Sequence, residues 1–134
     1  MKRTLITALA FAALATSALA NPCGFKDSGS MVVTGYAVGA TAVPEPERQK
    51  LAQFAETAKH RFGICIFAQV DKQGSKEANR KVAQARAQNV MAFLEKQGVP
   101  RKVMKVATQD EAFTFFGLLP EDQSADRRVM VTHD

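Results

Sequence analysis

The chain has 134 residues, with 18 Lys and Arg against 13 Asp and Glu and a formal net charge of +5. Its two cysteines and two histidines are scattered without the spacing that a zinc site needs. They form no nucleophile–base arrangement either, so no metal, cofactor or catalytic role is expected.

Residues 1–20 have the pattern of a cleaved secretory signal. Lys2 and Arg3 form a basic start, Leu5 to Ala15 is apolar, and Ala18-Leu19-Ala20 is a small-residue cleavage site. A membrane-spanning helix needs about twenty strongly apolar residues. This run is shorter and is interrupted by Thr7, Thr16 and Ser17, so no membrane-spanning segment is expected. The mature chain is expected to start at Asn21. Cys23 then lies behind Asn21 and Pro22, not at the first position that lipidation requires.

Loss of Lys2 and Arg3 lowers the formal charge from +5 to +3 and leaves 114 of the 134 residues. That length suits one domain with a modest core. Between Asp71 and Lys105 there are nine Lys or Arg against three Asp or Glu. Export argues against nucleic acid as their partner, and no aromatic residue interleaves them as a stacking platform would require. A solvated helix face accounts for most of these charges.

Residues 21–30 read as an N-terminal tail and residues 31–134 as the folded domain. Met31 to Val38 is a first strand, followed by a turn-rich connection from Gly39 to Pro46. Glu47 to Phe62 is helical by the recurrence of Leu51, Phe54, Ala55, Ala58 and Phe62. Acids at its start and Lys59, His60 and Arg61 at its end suit the helix dipole. Ile64 to Val70 is an apolar run of strand length, as expected of a strand buried on both faces.

A second helix runs from about Lys76 to Gln97, stopped by Gly98 and Pro100. Its packing stripe is Ala83, Ala87, Val90 and Leu94. Val103 to Ala107 and Arg128 to Thr132 are the last two strands. The order β-α-β-α-β-β implies an α/β two-layer sandwich, with both helices on one face of a mixed sheet. The long connection after Thr108 contains Phe113, Phe115 and Phe116, which either cap the core or offer an envelope protein partner an apolar surface.

Cys23 and Cys65 are an even pair in an exported chain, which points to a disulfide tying the tail to a central strand. The other possibility is that Cys65, within Ile64-Cys65-Ile66-Phe67, is a buried small apolar residue.

The chemistry concentrates between Val70 and Ala87. Asp71 ends the second strand, Gly74 and Ser75 turn the chain, and the helix that follows carries Asn79 and Arg86. Those two residues are seven apart, about two helical turns, and project from one face. An acid, an amide and a guanidinium around one pocket suit a zwitterion. The carboxylate pairs with an ammonium, and the arginine fork holds a carboxylate.

Asp71 and Gly74, followed by Asn79, Val82, Ala83, Arg86 and Ala87, resemble the OmpA-like peptidoglycan-binding domain family. Its pattern runs G-H-T-D-x-x-G, then N-x-x-L-S-x-x-R-A, with the same spacing. Asp126-Arg127-Arg128-Val129 is similar to the family's N-R-R-V. Ala68-Gln69-Val70 stands where the family has G-H-T, Val82-Ala83 where it has leucine and serine, and Asp126 where it has asparagine.

The resemblance implies a non-enzymatic periplasmic domain, associated with the cell wall or outer membrane, that binds the diaminopimelate end of a peptidoglycan stem peptide. Asp71 would accept the ammonium, Arg86 would hold the carboxylate, and Asn79 would add a hydrogen bond. Arg127 or Arg128 would contact the stem or brace the site. On this view Asp71→Ala and Arg86→Ala each weaken binding and leave stability nearly unchanged. The alternative is the same fold used as a protein-interaction module or a subunit of an envelope assembly.

Overall fold

The computed structural model describes residues 21–69, 75–107 and 127–134. The elements are β1 (Gly29–Val33), α1 (Glu45–Ala58), β2 (Ile64–Ala68), α2 (Lys76–Lys96), a short 3₁₀ turn (Arg101–Val103), β3 (Met104–Val106) and β4 (Val129–His133). The four strands form one mixed sheet in the order β1-β4-β2-β3. β4 runs antiparallel to both of its neighbours, and β2 and β3 are parallel. This is the two-layer α/β arrangement that the element order implies.

The core lies between the helices and one face of the sheet. Val33 of β1, Ile64, Ile66 and Ala68 of β2, and Val129 and Val131 of β4 point into it. They meet Leu51, Ala55 and Ala58 of α1 and Ala83, Ala87, Val90 and Leu94 of α2. The expected stripe of α2 is therefore the buried one. Its N-terminus is capped by Ser75, whose Oγ accepts from the Ala78 amide at 3.4 Å. At the other end Gly98 adopts φ +100°, and the amides of Gly98 and Val99 return to the Glu95 and Leu94 carbonyls. That pair of bonds is a Schellman stop, which favours glycine at this position.

The first helix ends a turn earlier than its apolar spacing suggests. After Ala58 the amides of His60 and Arg61 bond to the Thr57 and Ala58 carbonyls, a tightened last turn. The Phe62 amide leaves the helix altogether and donates to Asp134 Oδ1 at 3.1 Å. Phe62 is thus 90% exposed and not part of the packing stripe, and Lys59, His60 and Arg61 lie beyond the helix. The reason is register. Ile64 must pair with His133 at the start of β2, so the chain has to turn sharply through Gly63. The first strand also differs, starting at Gly29 and ending at Val33. Beyond it Gly35 at φ +82° turns the backbone out of the sheet.

All five residues of β2 are buried, as expected. One face is covered by the helices and the other by the N-terminal segment. Cys65, Phe67 and Ala107 on that outer face pack with Cys23, Phe25 and Met130. Cys23 and Cys65 form a disulfide with Cα atoms 5.8 Å apart. Asn21 is buried and ties the segment down: its Oδ1 accepts from the Cys23 amide at 2.9 Å, and its amide group donates to Thr132 Oγ1 at 3.3 Å. Part of the expected tail is therefore a packed cover for the sheet. Among the described residues, no helix is long and apolar enough to cross a membrane.

Candidate functional site

Strand polarity places the C-terminal ends of β1 and β2 and the N-terminal end of β4 at one edge of the sheet, where Val33, Ala68 and Val129 align. The loop after β1, residues 34–44, crosses this end before α1 begins. Helix α2 starts from the same end, because the chain leaves β2 there. Arg86, Arg127 and Arg128 all belong to this region.

Among the described residues Arg86 is the largest fully buried side chain, only 1% exposed. Its Nε donates to the Ala40 carbonyl at 2.7 Å and its NH2 group to the Ala37 carbonyl at 3.1 Å. The guanidinium carbon lies 4.7 Å from the centre of the Tyr36 ring, within the range of a cation–π contact. Arg127 reaches the same loop, with Nε donating to the Tyr36 carbonyl at 3.1 Å. The neighbouring Arg128 turns to the end of β2 instead, where its Nε donates to Gln69 Oε1 at 2.9 Å. The Arg128 carbonyl in turn accepts from the Gln69 amide at 3.0 Å.

Two arginines far apart in sequence thus converge on residues 36–40, and a third braces the strand end two residues before Asp71. Asn79 is half-buried in the first turn of α2. Asp71 itself, Asp126, and the three phenylalanines Phe113, Phe115 and Phe116 lie outside the described residues.

Tyr36 is the residue of this cluster that the sequence pattern misses. It is 4% exposed, its hydroxyl is buried without a hydrogen-bond partner among the described residues, and burial pushes its pKa up to about 12, partly opposed by the Arg86 charge. Glu47, itself buried in the first turn of α1 and 3.3 Å from Lys50 Nζ, adds to the upward push. The available signal was modest: an aromatic residue one position after Gly35, where the chain leaves the strand. Chemically the site offers fixed positive charge beside an apolar ring, with acceptors already engaged. Such a site suits an anionic group better than a bond-making step. Among the described residues no group of His, Cys, Asp and Glu could hold a metal ion.

A family model described as the OmpA family matches residues 35–115. No curated protein sequence matches the chain. Among solved structures, the C-terminal domain of Helicobacter pylori MotB is similar with a TM-score of 0.64 at 16% identity, covering 78% of this chain and 84% of that one. The OmpA-like domain of FopA1 from Francisella tularensis gives 0.60 at 14% identity, with 77% and 70% covered. The peptidoglycan-associated lipoprotein from Burkholderia pseudomallei gives 0.56 at 22% identity, with 81% and 91% covered. These likenesses establish the shared fold.

Proposed function

The chain belongs to the OmpA family, and from that premise we propose that it binds peptidoglycan non-covalently in the periplasm. The ligand is the zwitterionic end of diaminopimelate in the stem peptide. Asp71 accepts its ammonium group, Asn79 contributes a hydrogen bond, and the Arg86 charge attracts its carboxylate. Arg127 and Arg128 hold the rim, one against the loop and the other against the end of β2. The name of the B. pseudomallei relative, a peptidoglycan-associated lipoprotein, agrees with this assignment.

The observation that carries the proposal is the gathering of Arg86, Arg127 and Arg128 at the sheet end from which the chain proceeds to Asp71. Arginines at that end, with an acid two residues further along the sequence from Gln69, suit a ligand with both an ammonium and a carboxylate. A general basic surface would instead attract any polyanion, and its attraction would be screened by salt.

The test is co-sedimentation with purified diaminopimelate-type sacculi. Wild-type protein is expected in the pellet, and Asp71→Asn in the supernatant, with the same melting temperature as wild type. A wild type that stays in solution would remove the proposal. Release of the wild type by moderate salt, together with undiminished binding by Asp71→Asn, would replace it with non-specific charge attraction.

A further inference from the structure

Tyr36 touches both arginines that converge on the loop, and in two different ways. Its ring lies beneath the Arg86 guanidinium at 4.7 Å, and its carbonyl accepts from Arg127 Nε. Its hydroxyl meets no hydrogen-bond partner among the described residues. The side chain therefore contributes its aromatic face and not its polar tip.

We infer that Tyr36 is the positioning residue of the site: its ring fixes the plane of the Arg86 guanidinium, and its main chain fixes Arg127. This role rests on the proposed peptidoglycan binding and deepens it. An arginine side chain has several rotatable bonds, and its planar fork discriminates between ligands only when its plane is fixed. The Ala37 and Ala40 carbonyls fix two nitrogens from the edge. The ring acts on the tilt of the plane, because the electron-rich face attracts the cation broadside. Ala37 and Ala40 contribute main-chain atoms, so of these three residues Tyr36 is the one whose side chain a substitution can change. The phenol is neutral at neutral pH, so the ring face carries no charge there.

The chain has one tyrosine and no tryptophan. Biosynthetic incorporation of 3-fluorotyrosine therefore places a single fluorine probe on this ring without any mutation. The probe ligand is N-acetylmuramoyl-L-Ala-D-Glu-meso-diaminopimelate, titrated by calorimetry and by fluorine NMR. Saturation is expected to shift the fluorine resonance, because a ligand at Arg86 alters the charge stacked on the ring.

Tyr36→Phe keeps the ring and is expected to bind within about twofold of wild type. Tyr36→Leu keeps apolar bulk without the ring and is expected to bind about five- to tenfold more weakly, tenfold corresponding to about 1.4 kcal/mol. The Arg86 Nε–H proton is expected to carry an upfield ring-current shift in free wild type and Tyr36→Phe, and to lack it in the free Leu variant. Binding of Tyr36→Leu at wild-type strength would overturn the inference and leave the proposed function intact. If the Leu variant does not fold, a fluorine resonance that stays still at ligand saturation overturns it equally. A wild type that does not bind the muropeptide at all removes the function and this role together.

Discussion

Arg86→Ala tests whether the arginine belongs to the fold as much as to the ligand. Its surroundings contradict the expectation that its loss leaves stability nearly unchanged. The substitution removes two charge-assisted hydrogen bonds to loop carbonyls, each worth about 1.5–3 kcal/mol. It also removes a stacking contact with Tyr36 worth about 0.5–2 kcal/mol. Relief from burying a charge offsets these losses by several kcal/mol, and the net loss is about 2–4 kcal/mol. For a domain of this size that lowers the melting temperature by roughly 10 °C. Circular dichroism melts and urea titration of wild type, Arg86→Ala and Arg86→Lys measure it. Lys should fall between the other two, since its ammonium keeps the charge but cannot span both carbonyls. An Arg86→Ala protein that melts within about 2 °C of wild type would refute the reasoning.

Three further outcomes are expected. Spectrophotometric titration at 295 nm should place the single phenol near 12. Its raised pKa stabilises the fold below pH 10, and stability should fall as pH climbs from about 10 to 12, by up to roughly 3 kcal/mol; an end point near 10 in folded protein would contradict the burial. Opening the Cys23–Cys65 bridge, which spans 42 positions, should cost about 4 kcal/mol on the chain-entropy model. Equal urea midpoints for oxidised protein and Cys23→Ser/Cys65→Ser would count against it. Gly29→Ala should destabilise by about 1–3 kcal/mol as an overpacking change, because a methyl there overlaps the His133 imidazole, which is held against Phe54 at 5.4 Å; an unchanged melting curve would show that the imidazole moves aside.

Periodicity made the second helix legible because its signals agree: a serine cap, a stripe of small and aliphatic residues, and a glycine stop. The same spacing also held the clue to Arg86. It follows Ala83 by three and precedes Val90 by four, positions that share a helix face, and all three are buried. Its charge suggested a ligand contact, while its place on the stripe pointed to the core. The structure gives the core position, and carbonyls of the loop after β1 accept from the guanidinium there. That loop was not legible, because its course depends on Gly35 and Gly39, both at positive φ, and on contacts made across 46 or more positions of sequence. Phe62 failed for a related reason: helical spacing continued through it, but the Asp134 carboxylate, 72 positions away, captured its amide.

The two covers of β2 divide its work along its length. Cys65 is bonded to the N-terminal segment near the start of the strand, and Gln69 meets Arg128 just past its end. Four residues of extended chain separate them, about 13 Å. On the helix side Ile66 and Ala68 pack into the main core, and on the other side Phe67 packs against the segment that the disulfide holds. Arg86 reaches the loop after β1 from the helix side, and neither Cys23 nor Phe25 contacts that loop through any described hydrogen bond. The bridge thus holds the outer face near the start of the strand, whereas Arg86 is anchored from α2 on the helix side, at the loop beyond the strand's other end. A reduced protein that remains folded should keep Arg86 on its carbonyls, so its affinity for the muropeptide should match that of the oxidised form even as its melting temperature falls.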